Sequence, residues 1–261
     1  MSGAAPAAAG AVKAVILAGG RGTRLAPLIG AFPKPLVPVG DRPILETIIL
    51  QLAAHGVRDV VLSVDYLADL IRAYFTERKA LASRVNLSYV RDEVPGGTAG
   101  SLASIPGLDH TFLVMNGDVL TKLDYTKLLV HHRARGGALT IAVRKREVKI
   151  DLGVLEYDGA GLVTNYVEKP RLAYDVSMGV YVYEPRALAH IPRNTYLDFP
   201  DLVLRLLAAG EKVVAYPSDD YWLDIGRPDD YARACEEFQT EFGALDRLGL
   251  GSGVPGKGVG P

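Results

Sequence analysis

Val12-Lys13-Ala14-Val15-Ile16-Leu17-Ala18-Gly19-Gly20-Arg21-Gly22-Thr23-Arg24-Leu25 decides the fold. A short β-rich run, residues 12–17, leads straight into three glycines, where backbone amides can approach phosphate oxygens without Cβ obstruction. The turn is not a Walker loop, because Gly-Lys-Ser/Thr is absent, and its spacing does not fit the dinucleotide Gly-x-Gly-x-x-Gly pattern. Downstream, helical and extended patterns alternate: helix 43–55, strand 59–64, helix 68–79, strand 85–90, helix 98–104, strand 111–115 and helix 125–135. This rhythm predicts parallel strands with helical crossovers, an α/β fold with a Rossmann-like, mostly parallel sheet flanked by helices. Pro43 in the first turn and Gly56 just past the end bound the first of these helices. Asn116, Gly117 and Asp118 fall at a strand's C-terminal end, the side on which open α/β sheets bind ligands, so this motif and the glycine turn converge on one edge.

Beyond residue 137 the pattern changes. Residues 138–143, 153–157, 163–167 and 179–183 are strand-like, Asp158-Gly159 is a turn between two of them, and helices are expected at 200–209 and 229–242. The second half is therefore expected to extend the sheet as a smaller β lobe that closes over the first, and no internal repeat is visible. Residues 1–11, rich in Ala and Gly, are expected to be a flexible leader, and 243–261 a disordered tail whose Gly and Pro bury too little to offset ordering entropy. Between them, 12–242 forms one expected domain, with halves 12–137 and 138–242.

Composition excludes several classes. With a formal net charge of -1 and charges of both signs mixed along the chain, there is no positive field of the kind that binds nucleic acid. No run approaches the roughly 20 apolar residues of a membrane span, so no membrane role is expected. A single cysteine, Cys235, excludes an intramolecular disulfide and fits a reducing compartment, so a cytoplasmic location is expected.

Lys34 lies in Phe32-Pro33-Lys34-Pro35-Leu36, a segment stiffened because each proline fixes its own φ and restrains its predecessor. Gly-Gly-x-Gly-Thr-Arg-Leu followed by Pro-Lys-Pro-Leu resembles the signature of sugar-1-phosphate nucleotidyltransferases, the nucleotide-sugar pyrophosphorylases. Further stretches match in the family's order: Pro95-Gly96-Gly97-Thr98-Ala99-Gly100 resembles its base loop, Asn116-Gly117-Asp118 its first metal site, Val167-Glu168-Lys169-Pro170 its sugar-phosphate site, and Trp222-Leu223-Asp224-Ile225-Gly226 its second metal site.

The resemblance implies the nucleotide-diphospho-sugar transferase fold and the union of a nucleoside triphosphate with a sugar 1-phosphate, releasing pyrophosphate. It implies catalytic roles for Arg24, Lys34, Asp118 and Lys169. Leu17, Ala18, Gly19, Gly20, Gly22, Thr23, Arg24, Asp92, Gly97, Thr98 and Asp118 would bind nucleotide. Gly153, Glu168, Lys169 and Ser177 would bind the sugar phosphate, and Asp118 and Asp224 would share Mg²⁺, a hard cation suited to carboxylate and phosphate oxygens. A homo-oligomer stays open.

The base loop's form is closest to the mannose- and heptose-1-phosphate guanylyltransferase branch, and a carboxylate at Asp92 or Glu93 could accept from guanine's N1-H and amino group, which favours GTP over uracil or thymine nucleotides. Two departures fall in the sugar region: Leu152-Gly153-Val154 stands for Tyr-Gly-Val, and Ser177-Met178-Gly179 for Asn-Ala-Gly, so a bulky Met178 is expected to alter the sugar pocket. Asp151, Asp219 and Asp220 are expected in turns or on the surface, His131 and His132 on an exposed helix face, and Cys235 in packing. Two rivals stand beside this reading. A nucleotide-sugar-dependent glycosyltransferase lacks support because its Asp-x-Asp motif is absent, and a noncatalytic regulatory subunit would not need the full charged set.

Overall fold

The structure is a computed structural model that describes residues 12–20, 22, 24, 25, 30, 32–91 and 96–243. The expected leader, all of the expected tail after Gly243, and two expected nucleotide ligands, Thr23 and Asp92, lie outside the described residues.

Among the described residues, β1 (Lys13–Leu17) is followed by a two-residue hairpin, β2 (Pro38–Val39) and β3 (Arg42–Pro43), then the Ile44–Ala54 helix and β4 (Asp59–Val64). Helices Ala68–Thr76 and Lys79–Ala82 precede β5 (Asn86–Arg91), so the expected helix over 68–79 is two shorter ones. Helix Gly97–Gly100 runs into a 3-10 turn before β6 (Phe112–Asn116), β7 (Val119–Thr121) and helix Tyr125–Arg135. The second half holds β8 (Leu139–Lys149), β9 (Gly153–Tyr157), β10 (Val163–Glu168), β11 (Arg171–Tyr183), helix Phe199–Ala208, β12 (Val213–Pro217), β13 (Trp222–Asp224) and helix Pro228–Phe242.

One seven-stranded sheet, ordered β12-β8-β11-β6-β1-β4-β5, runs through both halves. β1 pairs parallel with β4 and β6, β4 with β5, and β12 with β8; β11 alone runs antiparallel, against both β6 and β8. The sheet is thus mixed but mostly parallel, as the alternation predicts. Its centre is apolar on both faces, because helices cover both: Ala14 and Ile16 pack in one cluster with Ile44, Ile48 and Leu52, while Val15 packs in the other with Leu102, Tyr183 and Leu206. Gly56, with φ of 82°, ends the 44–54 helix as its sequence implies.

β8 and β11 are longer than their expected cores, 138–143 and 179–183. They run on together beyond the sheet, pairing Arg144 with Val176 and Lys149 with Arg171, and they carry the β9–β10 hairpin at their far end. This ribbon is the predicted β extension. Residues on two helices correct the sequence reading. His132 is buried rather than exposed: it lies on the same helix face as Leu128 and Leu129, and its ring nitrogens meet the Thr140 hydroxyl at 2.7 Å and Glu184 Oε1 at 3.0 Å. His131 is half-buried against Ala215 and Tyr216. Cys235, conversely, is exposed, because the buried stripe of its helix runs through Ala234, Phe238 and Phe242.

Candidate active site

The glycine turn lies at the C-terminal end of β1, where the neighbouring strands also end. Ala18 N-H donates to the Ser63 carbonyl at 2.8 Å and Gly117 N-H to the Leu17 carbonyl at 2.9 Å, so the turn is tied to β4 on one side and to the β6 end on the other. Gly117 must lack a side chain: a Cβ there would meet the Leu17 oxygen at 2.8 Å. Gly20 faces open space instead and is exposed, leaving its backbone approachable. Leu17, Ala18, Gly19, Gly20, Arg24, Lys34, Gly97, Thr98 and Asp118 line one cavity of about 640 Å³, a volume that suits a nucleotide. Gly22, with φ of 61°, turns the chain toward Arg24.

In this cavity two of the four expected catalytic residues, Lys34 and Asp118, meet, and Arg24 lines the same space, whereas Lys169 does not. Pro33 precedes and Pro35 lies within a one-turn 3-10 helix, Lys34–Leu36, which holds Lys34 almost wholly buried, 8% exposed. Its Nζ donates to Asp118 Oδ2 at 2.5 Å. Asp118 sits in the bend between β6 and β7, and the β7–β13 pairing sets Asp224 opposite Val119, with Ile225 N-H donating to the Asp118 carbonyl at 3.0 Å. Two carboxylates distant in sequence are thereby side by side. The Asp224 side chain opens to the cleft, yet the protein around it removes enough hydration to raise its carboxyl above the ordinary carboxylate range. The charge of Asp118 raises it further, against the pull of Lys34 and Arg24.

A carboxyl raised in the folded state favours folding below its unfolded pKa, and that contribution is lost as pH rises through the folded value. Asp224→Asn is therefore expected to melt higher than wild type near neutral pH. The advantage should shrink as pH falls through and below Asp224's raised titration range. Thermal melts of both proteins at stepped pH check this, and a variant-minus-wild-type difference no larger at neutral pH than at acid pH would contradict it.

The base-loop residues are fastened by the second half of the chain. The Leu197 carbonyl accepts from Ala99 and Gly100 N-H, and Leu197 N-H donates to the Gly96 carbonyl at 2.9 Å. Asp198 Oδ1 accepts from Thr98 N-H at 3.1 Å and Thr98 Oγ1 at 3.2 Å, while Thr98 Oγ1 accepts from Phe199 N-H at 2.8 Å, capping the helix that Asp198 precedes but does not cap. Gly97 and Gly100 are required here, since a Cβ on either would strike the Leu197 or the Thr195 carbonyl. Thr98 is thus committed to protein contacts. Asn116 of the Asn-Gly-Asp motif also lines the cavity, as do Tyr196, Asp198, Ser63 and Asp65, which no motif in the sequence marks. An N-cap position before Phe199-Pro200 was the one available signal for Asp198; its partner's distance in the chain hid the rest.

A smaller cavity of about 310 Å³ adjoins, lined by Asn116, Ser177, Tyr181, Trp222 and Asp224. Here β11 bulges between Ser177 and Tyr181. Ser177 Oγ donates to the Tyr181 hydroxyl and accepts from Gly179 N-H, both at 3.3 Å, and Gly179 has φ of 71° with Asn116 Nδ2 2.7 Å from where its Cβ would be. Met178 also lines this cavity, although it is wholly buried and packs with the core, and its carbonyl accepts from Trp222 Nε1 at 2.7 Å.

Gly153, Glu168 and Lys169 lie on the β9–β10 hairpin and line neither cavity. The Tyr166 hydroxyl donates to Glu168 Oε2 at 2.7 Å and occupies the space a Gly153 side chain would need. Lys169 has φ of 48°, unusual for a residue with a Cβ, and its Nζ is 3.8 Å from Glu168 Oε1 with most of the side chain exposed. Asp151 pairs with Lys149, and Asp220 accepts from Ser218 Oγ at 2.8 Å, both as expected of surface residues.

The nucleotidyl transferase family model matches residues 13–241. The chain is 32% identical to UTP--glucose-1-phosphate uridylyltransferase of Synechocystis sp., across 96% of this chain and 68% of that protein. It is 35% identical to mannose-1-phosphate guanyltransferase of Schizosaccharomyces pombe, across 84% of this chain but 62% of the relative's length. Among solved structures, HddC from Yersinia pseudotuberculosis superposes with a TM-score of 0.67 at 29% identity, covering 87% of this chain and 99% of that one. The mixed, mostly parallel sheet agrees with these matches. The chain belongs to the nucleotidyl transferase family, among its sugar-1-phosphate nucleotidyltransferases.

Proposed function

We propose that the protein transfers a nucleoside monophosphate from a nucleoside triphosphate, GTP foremost, to a mannose, heptose or related sugar 1-phosphate. Pyrophosphate is the second product. The observation that carries this reading is the Lys34–Asp118 contact beside Asp224, at the floor of a cavity opened by the glycine turn. In such a transfer the acceptor phosphate oxygen attacks the α-phosphorus in line, and negative charge gathers on oxygens, so catalysis consists of positioning and electrostatics. Arg24 and Lys34 neutralise the triphosphate and the departing pyrophosphate. Residues 12–137 supply most of the nucleotide site and 138–242 the sugar-phosphate site, with Lys169 holding the acceptor phosphate and Glu168 and Ser177 meeting sugar hydroxyls.

Asp118 and Asp224 suit Mg²⁺. No group of three acidic, His or Cys side chains gathers among the described residues, so Asp118 and Asp224 are the two carboxylates that would hold the ion, the remaining ligands coming from phosphate oxygens and water as is usual for Mg²⁺. When bound, Mg²⁺ draws charge from the reacting phosphates. The Lys34 ammonium holds the Asp118 side chain in place by a direct hydrogen bond. Lys169 and Glu168 reach the reaction when the ribbon bends toward the cleft, a closure that also excludes water.

GTP is supported by the guanyltransferase relative and by the solved HddC complex with GMP-PN; the uridylyltransferase relative makes UTP with glucose 1-phosphate the second arm. The test is pyrophosphate release with Mg²⁺, crossing GTP, UTP, dTTP, CTP and ATP with mannose, heptose, glucose and glucosamine 1-phosphates. GTP with mannose or heptose 1-phosphate is expected to be the fastest pair. UTP with glucose 1-phosphate in first place would reassign the substrates, and nucleotide binding without turnover on any pair would favour a regulatory, noncatalytic role.

A further inference from the structure

Tyr196 is an exposed aromatic residue that the structure holds still. The residue is 61% exposed, its hydroxyl donates to Asp198 Oδ2 at 2.7 Å, and it is the one aromatic among the described residues lining the larger cavity. Both ends of its support are fixed. Asp198 is itself bound to Thr98, and the flanking Leu197 is bonded through N-H and carbonyl to Gly96, Ala99 and Gly100. A tyrosine ring left in water normally turns between rotamers, and ordering it on binding costs entropy; here that ordering is already made. The rest of the described lining is glycine, small, aliphatic or charged and offers phosphates and ribose hydroxyls many partners, but no second flat ring for a base.

We infer that Tyr196 is the nucleobase platform: its ring stacks on the base of the bound nucleoside triphosphate, and the Asp198 hydrogen bond presets its angle. The inference rests on the proposed nucleotidyl transfer, and it places a specificity contact in the second half of the chain, across from the glycine turn. Thr98, whose donor and acceptor are both spent on residues 198 and 199, then serves as the fastening of that platform rather than as a base ligand.

The test is calorimetric binding of GTP, of UTP and of inorganic tripolyphosphate, each with Mg²⁺, to the wild-type chain and to Tyr196→Ala and Tyr196→Phe. Losing one stacked base contact is expected to weaken GTP and UTP binding by Tyr196→Ala about tenfold. Tyr196→Phe, which keeps the ring and loses the hydroxyl, should stay within about threefold of wild type. Tripolyphosphate has no base and should bind all three proteins alike. The inference is overturned if Tyr196→Ala binds GTP and UTP as wild type does, if Tyr196→Phe is as weak as Tyr196→Ala, or if Tyr196→Ala loses tripolyphosphate in equal proportion, since that would mark a structural role. A wild-type protein that bound none of the nucleotides would instead bring down the nucleotidyl-transfer reading itself.

Discussion

Lys34→Ala is expected to lower the rate of pyrophosphate release about 10²–10³-fold, the usual loss when one buried group facing transition-state charge is removed. The size follows from where Lys34 sits. It is almost wholly buried, so its charge acts through little water, and the prolines on either side hold the backbone that carries it. Its interaction with a triphosphate grows as charge moves onto the leaving pyrophosphate, so the loss should fall on kcat and less on the nucleotide's KM. Removing the lysine also leaves Asp118 and Asp224 without their main counter-charge, so metal affinity is not expected to fall with the rate. Lys34→Arg should not restore the rate, since a planar fork cannot occupy the space of an ammonium already 2.5 Å from Asp118. Steady-state kinetics with a fixed acceptor checks both variants, and a Lys34→Ala rate within threefold of wild type would remove Lys34 from the mechanism.

Asp118→Asn is expected to cost a comparable factor, about 10²–10³-fold in kcat, with a different signature. Asparagine keeps the shape of the side chain and can still accept from Lys34, so the fold should survive, whereas Asp118→Ala would strand a buried ammonium and confound stability with activity. What asparagine removes is one of two carboxylate charges. The Mg²⁺ concentration giving half-maximal rate should therefore rise in Asp118→Asn, and direct binding of Mn²⁺, followed by its paramagnetic signal, should weaken in parallel. Unchanged metal binding together with unchanged turnover would exclude Asp118 as a ligand. Asp224→Asn shares the metal signature but adds the neutral-pH gain in melting temperature, because Asp224 is the carboxyl whose ionisation the folded protein opposes.

Much of this was readable from local patterns. A strand, a glycine turn and a proline-bounded lysine are specified within a few residues of each other, by φ restrictions and apolar spacing that act wherever the rest of the chain goes. So strand 59–64, helix 125–135 and strand 153–157 have the bounds their patterns imply. Elements below the length at which a period can be seen were not readable: β7 and β13 are three residues each, and Trp222-Leu223-Asp224 shows no alternation to mark it as a strand. Yet this pair of strands, formed between distant segments, is what puts Asp224 beside Asp118. The same holds for Thr98 with Asp198, for His132 with Thr140 and Glu184, and for Tyr196 at the cavity.

Their side chains say only that they can hydrogen-bond or stack, and which partner they meet depends on sheet order and on where the β11 bulge turns. Met178 and Cys235 make the point from the other side. One lines the smaller cavity while being wholly buried in the core, the other is exposed where packing was expected, each because of its neighbours in space and not its neighbours in sequence. The sequence by itself determined the elements, the phosphate-facing turn and the identity of the charged residues. Only the tertiary structure decided which of them meet, because backbone preferences act within a few residues whereas the pairing of strands and the closing of the cavity depend on burying apolar surface across the whole chain.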